Sequence, residues 1–128
     1  MLKEKDYCDY DTCVALIEMG FVGTSRYYYD KKNHKLHITN YGITYTVRTA
    51  SASDYVLAIH LYDAQKWLRK EKGINISPVY LFTDWGCIIK TPKYGDLIES
   101  HSSYEEALLE GIKETLKILK EDNNDTGR

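Results

Sequence analysis

A chain of 128 residues, 43% apolar and 28% charged, has the make-up of a soluble globular protein, and at this size about two thirds of the unfolded surface can be buried without disulfide or metal staples. The net charge of −2 gives no whole-molecule attraction to nucleic acid or to an anionic membrane. No apolar run approaches the ~18 residues of a membrane helix, and Met1-Leu2-Lys3-Glu4-Lys5-Asp6 mixes charges without the apolar h-region of a signal peptide.

The first eight residues read as a charged lead-in. Asp9 and Asp11 compete to cap a first helix, since a short carboxylate accepts from the free amides of the first turn. Tyr10, Cys13, Val14, Ile17 and Phe21 give that helix an apolar stripe to about Met19, and Gly20 stands where a helix-stopping glycine belongs. Gly23-Thr24-Ser25 is a loop, residues 26–30 an aromatic strand, and Lys31-Lys32-Asn33-His34 a polar hairpin turn. Residues 35–39 and 43–47 alternate cleanly as strands around an Asn40-Tyr41-Gly42 turn.

A polar linker over 49–53 leads to a long helix, beginning near Ser53 or Asp54 and ending at Lys72 before Gly73. Leu57, Leu61, Ala64 and Leu68 form its stripe, and cations crowd its last turns, where the helix dipole favours them. Pro78 marks the start of the next strand, because it lacks an amide donor. Asp84-Trp85-Gly86 suits a three-residue hairpin loop with Gly86 left-handed. Residues 92–101 look irregular. Ser103-Tyr104-Glu105-Glu106 is a capping box opening a last helix with its stripe on Ala107, Leu108, Gly111, Ile112 and Leu116.

The order α-β-β-β-α-β-β-α predicts an α+β fold: a single, mainly antiparallel sheet of four to five strands with the helices packed mainly on one face. Residues 1–121 are expected to form one domain and 122–128 a disordered polar tail. A glycine-stopped helix precedes each hairpin, at Gly20 and at Gly73, a faint echo that leaves internal duplication open.

Chemical motifs are sparse. Cys8, Cys13 and Cys87 are odd in number and lack Cys-x-x-Cys spacing, which predicts unpaired, reduced thiols and a cytoplasmic setting. Cys8 and Cys13 with His34 and His37 offer zinc-type ligands without a tight knuckle, and buried core cysteines explain the thiols better. Cys87 has no glycine-flanked elbow and no motif linking it to His37, His60 or His101 as a base. The carboxylates of the last helix alternate with lysines as a solvated face does. Tyr27-Tyr28-Tyr29 beside Lys31, Lys32 and Lys35 interleaves rings and cations as single-strand binders do, but acidic residues elsewhere cancel that charge.

Twelve tyrosines against two phenylalanines set the candidate surface. Strand parity turns Leu36, Ile38, Ile43, Tyr45 and Val47 toward the helices, and His37, Thr44 and Thr46 to the other face. Tyr28 belongs to that outer face; with Val79 and Leu81 inward, Tyr80 and Phe82 face outward too. The candidate binding residues are therefore Tyr28, His37, Tyr80, Phe82 and Trp85, with burial of Phe82 under 92–101 or the last helix as the competing reading.

Three stretches carry a resemblance: Ala64-Gln65-Lys66-Trp67-Leu68-Arg69-Lys70, Gly73-Ile74-Asn75-Ile76 and Ser103-Tyr104-Glu105-Glu106-Ala107. With them the chain resembles small uncharacterised proteins of bacteriophages and mobile elements of gut bacteroidetes over most of its length. The resemblance implies a phage or mobile-element context and a bacterial cytoplasm, and it carries no catalytic residue. The expected role is a non-enzymatic binding or accessory protein, without cofactor, acting by protein–protein contact on an aromatic sheet face, with a homodimer favoured over a small-molecule site. The alternatives are a counter-defence protein sequestering a small nucleotide signal, a single-stranded nucleic-acid binder, and a small enzyme whose active residues come from separate elements.

Overall fold

A computed structural model describes residues 4–93 and 95–126. The chain is α+β and divides into two compact units, Met1–Ala64 and Gln65–Arg128. Among the described residues no helix is long and apolar enough to cross a membrane.

In the first unit, helix α1 (Tyr10–Glu18) starts where the Asp9 carboxylate accepts the Thr12 amide at 3.2 Å. It stops at Met19, and Gly20 follows with φ +102°, a backbone state that only glycine takes without cost. Strand β1 (Thr24–Ser25) is followed by β2 (Tyr27–Asp30) and β3 (Leu36–Ile38). Strand β4 (Tyr45–Thr46) pairs only with β1, and helix α2 (Val47–Ala52) and strand β5 (Tyr55–Leu57) come next. The central strand is β2, antiparallel to β3 on one side and to β5 on the other, with Tyr28 opposite both His37 and Leu57. Cys13, Leu16, Tyr29, Leu36, Val56 and Leu57 are buried in this unit.

The long helix read over 53–72 is a correction. Its first third is Ser53, which caps the end of α2, a left-handed Asp54 (φ +66°) and β5; only α3 (Leu61–Lys72) is helical as expected. The run 55–59 is apolar without interruption, and such a run carries no period to separate strand from helix. The expected 43–47 strand shrinks to β4 because α2 begins at Val47. Thr46 and Thr49 cap each other reciprocally there: the Thr49 amide donates to Thr46 Oγ1 at 3.1 Å and the Thr46 amide to Thr49 Oγ1 at 2.7 Å. A threonine in the place usually held by Glu or Gln hid this capping box. Leu36 is buried as the alternation requires, but Ile38 and Ile43, expected inward, are exposed at the end of an edge strand and beyond the Asn40–Gly42 turn.

The second unit holds most of α3, then β6 (Asn75–Tyr80), β7 (Trp85–Lys90), β8 (Gly95–His101) and α4 (Tyr104–Thr126). Strand β7 pairs antiparallel with both neighbours. Ser103 Oγ accepts the Glu106 amide at 3.1 Å, as the capping motif predicts, but the reciprocal half is shifted by one residue: the Glu106 carboxylate accepts from the Ser102 amide at 3.4 Å and the Ser102 hydroxyl at 2.6 Å rather than from the Ser103 amide. The strand β8 lies where irregular chain was expected; Gly-Asp-Leu-Ile-Glu-Ser-His is largely exposed, so its apolar alternation is weak. Strand β6 begins at Asn75, three residues earlier than expected, and Pro78 sits inside it opposite Cys87, on an edge strand that tolerates the missing donor. The turn is not Asp84-Trp85-Gly86 either. The Leu81 amide donates to the Asp84 carbonyl at 2.8 Å, and Phe82 (φ +74°), not Gly86, is left-handed. Helix α4 continues to Thr126; the tail expected over 122–128 begins inside it, and residues 127–128 lie outside the described residues.

The single sheet is thus replaced, among the described residues, by three small antiparallel sheets of two, three and three strands. Each expected hairpin finds its third strand close by in its own unit, β5 for the first and β8 for the second; the sequence pattern concealed both of these, and also β1, where Thr24-Ser25 was expected to be loop and instead pairs with β4.

Helix α4 packs on β6 and β7 over Gly111. A Cβ there would stand 2.5 Å from Cys87 Sγ and 2.7 Å from Ile76 Cγ2. In an exposed helix Gly→Ala gains ~1 kcal/mol, but here overpacking sets the sign. Gly111→Ala is expected to destabilise the protein by about 1–3 kcal/mol, read as a lower urea midpoint with an unchanged slope.

Candidate functional site

Of the twelve tyrosines only Tyr80, Tyr94 and Tyr104 lie beyond Ala64, so the candidate chemistry gathers in the first unit. Successive β2 residues point to opposite sides of the sheet, and the three tyrosines of this strand build two different surfaces.

On one side stands Tyr28. Its ring stacks on Tyr55 at 4.1 Å and on His37 at 5.4 Å, both at 25°, and leans on Tyr45 at 5.6 Å. All four side chains are half-buried. Burial is the main cause holding the Tyr28 phenol above its ordinary pKa, followed by the neighbouring Tyr55. Tyr28 and His37 are therefore brought together, as the strand parity predicts. Tyr45, expected to face the helices, joins them, because β4 belongs to a separate sheet whose parity is independent of β3. Tyr55 was hidden in the helix reading.

On the other side Tyr29 is buried, and its hydroxyl donates to the Cys8 carbonyl at 2.6 Å. The Cys13 thiol donates to the same carbonyl at 3.5 Å, the Ile59 amide donates to Cys13 Sγ at 3.3 Å, and the Cys8 amide to the Ile59 carbonyl at 2.8 Å. Cys8, Cys13 and Cys87 are unbridged and buried. The hydrogen bond with Cys13, then burial, pushes the Cys8 thiol well up, and burial pushes Cys87 up to about 11. Thiols so held are protonated at neutral pH and poor nucleophiles.

This network holds Tyr7 against Tyr27. Their rings lie 4.8 Å apart; His60 meets the Tyr7 ring edge-on at 5.2 Å, and Tyr62 lies 5.0 Å from His60. The row of rings lines a cleft of about 430 Å³ that also takes in Ser25, Arg26 and Asp63. His60 Nδ1 accepts the Tyr62 amide at 3.2 Å, so a neutral imidazole carries its proton on Nε2. The Tyr7 phenol is pushed up to about 12, chiefly by burial, then by Tyr27, Asp6 and Asp63, with Arg26 opposing. A second, larger cleft of about 940 Å³ has apolar walls from Phe21, Val22, Val47 and Ala52 and one cation, Arg48.

The remaining candidates lie in the second unit. Tyr80 packs on Trp85 at 5.3 Å, Trp85 meets Tyr104 of α4 edge-on at 5.5 Å, and the Tyr80 hydroxyl donates to the Phe82 carbonyl. Register puts Tyr80 and Trp85 on the same face as Ile76 and Cys87, which touch α4; the expectation that Tyr80 faces away from the helices is corrected. Starting β6 at Asn75 leaves Ser77 and Val79, not Tyr80, on the far side. Phe82 is 89% exposed on the turn, under neither 92–101 nor α4. The cleft around Tyr7 was missed altogether, since its residues come from segments up to 56 positions apart and share no motif. His34 stacks on Tyr10 at 3.6 Å and His37 on Tyr28; among the described residues no group of three or more His, Cys, Asp or Glu could hold a metal ion. Comparison with protein-family models, with curated proteins and with solved structures gives no match.

Two outcomes follow from the Tyr29 and Tyr7 environments. Tyr29→Phe removes a donor from a buried carbonyl and is expected to cost about 1–3 kcal/mol, measured by chemical denaturation. Tyr7 retains its proton in the folded state to about 12 but ionises near 10 when unfolded. Its contribution to stability is full below pH 10 and is lost as pH rises toward 12, because the unfolded chain then releases a proton the folded one keeps. A denaturation series across that window is expected to show falling stability, with a shallower fall in Tyr7→Phe.

Proposed function

We propose that the chain is a non-enzymatic binding or accessory protein, of the kind carried by phages and mobile elements of gut bacteroidetes, acting in the cytoplasm through a protein contact on its aromatic sheet face. The observation that carries this reading is the cluster of Tyr28, His37, Tyr45 and Tyr55 on one side of the first unit, each ring held by another. Rings already packed against one another lose little side-chain freedom on binding, and tyrosine joins a large apolar body to a polar tip, which is why it recurs where interfaces concentrate their energy. The buried, protonated state of Cys8 and Cys87 supports a binding role over thiol catalysis.

The test is a Tyr28→Ser, Tyr55→Ser double variant whose circular dichroism matches the wild type. Light scattering and lysate pull-down with wild-type protein are expected to show an association, either a homodimer or a retained host protein, that the double variant loses. A monomeric wild type that retains nothing beyond what the variant retains overturns the reading.

A further inference from the structure

The Tyr7 cleft brings together three kinds of chemistry. The first is the row of rings from Tyr27 through Tyr7 and His60 to Tyr62, with 4.8–5.2 Å between successive centroids. The second is a run of polar residues along one segment: Thr24, Ser25 and Arg26 line the cleft, and the Arg26 guanidinium reaches toward Gly42 at its side. Ser25 Oγ accepts the Tyr27 amide at 3.0 Å, which leaves its own proton to donate outward. The Arg26 guanidinium makes no ion pair or hydrogen bond with the described residues. The third is the carboxylate of Asp63, exposed in the first turn of α3 and likewise without an ion pair among the described residues. Asp63 and Arg26 line the same cleft as Tyr7, and their charges act on its phenol in opposite directions.

Each simpler ligand leaves part of this arrangement unused. An apolar molecule would strip water from Arg26 and Asp63 without replacing their partners, a cost that excludes it. Inorganic phosphate would satisfy Arg26 and the hydroxyls but leave the rings and Asp63 idle. An aromatic amino acid would engage both charges but not the hydroxyl pair, and it would underfill a cleft of about 430 Å³, which falls in the ~300–1,000 Å³ range of small-molecule sites. A planar base, a sugar diol and a phosphate on one molecule engage everything present. The base lies on the rings, the phosphate takes the guanidinium and hydroxyl donors, and the carboxylate accepts from the sugar hydroxyls or a base N–H.

We propose that the cleft bounded by Tyr7, Tyr27, His60 and Tyr62 is a binding site for a nucleoside 5′-monophosphate, with Arg26 as its phosphate anchor and Asp63 as the acceptor for its sugar or base edge. This site is independent of the protein-contact reading: it uses Tyr27, whereas the aromatic face is built on Tyr28, which points to the opposite side of β2.

The experiment is isothermal titration of the full chain with AMP, GMP, CMP and UMP, with the matching nucleosides, inorganic phosphate and tryptophan as separate arms. At least one monophosphate is expected to bind at one equivalent, its nucleoside at least tenfold more weakly, and phosphate alone not measurably. Arg26→Met is expected to weaken the monophosphate at least tenfold while leaving the nucleoside unchanged, with Arg26→Lys intermediate. Asp63→Asn is expected to weaken both. Arg26 and Asp63 are exposed, so these variants are expected to fold, with circular dichroism as the check. The Tyr28→Ser, Tyr55→Ser variant is expected to bind nucleotide as the wild type does, which separates failure of this site from failure of the aromatic face. Absence of monophosphate binding, binding that survives Arg26→Met and Asp63→Asn, or preference for tryptophan overturns the proposal.

Discussion

The first unit depends on one buried carbonyl. Cys8 is fully buried, and its carbonyl oxygen takes the Tyr29 hydroxyl and the Cys13 thiol together, while the Cys8 amide is tied to Ile59. A backbone oxygen in such a place must be paired, because leaving it bare costs about 1–3 kcal/mol. Meeting that need draws three distant pieces of chain together: the segment before α1, the middle of β2 and the stretch after β5. The residues next to the paired ones are Tyr7, Tyr28 and His60. The same bonds that satisfy the carbonyl therefore decide which rings stand on which side of the strand.

Two surfaces result, and they differ in kind. The Tyr28 side is a cluster of half-buried rings without charges of its own, which suits a broad contact with another apolar and hydroxyl-bearing surface. The Tyr7 side is concave and mixes rings with a cation, a carboxylate and hydroxyls, which suits a small molecule with several polar groups. The second unit is organised by packing instead. Gly111 lets α4 approach Cys87 and Ile76 closely, and Trp85 meets Tyr104 at the start of the helix. The thiols serve this packing and hydrogen bonding, and their raised pKa values are the consequence of burial and of the Cys8–Cys13 contact.

The elements legible in the sequence are those whose signal is local. Asp9, Gly20, Gly73 and the Ser103 cap act within a turn of the residue that carries them, and the aromatic and β-branched runs around Tyr28, Leu36 and Ile88 announce strands by composition. The helical reading failed at Tyr55–Leu57, where an unbroken apolar run has no period. The strand-and-linker reading failed at Thr46–Thr49, where threonine substitutes for the usual capping partner and a helix begins.

What the sequence by itself determined is the α+β class, the positions of α1, α4 and the two hairpins, and the placing of Tyr28 beside His37. Tertiary structure alone decided that β5 and β8 complete separate sheets, that Tyr45 joins Tyr28, that Tyr80 lies on the α4 face, and that Tyr7, Arg26, His60 and Asp63 share a cleft. The physical reason is the reach of the forces involved. Capping and alternation are settled within a few residues, whereas strand partners, face parity and clefts are settled by burial and by hydrogen bonds such as Tyr29 to Cys8, whose two ends stand 21 residues apart and carry no mark of each other.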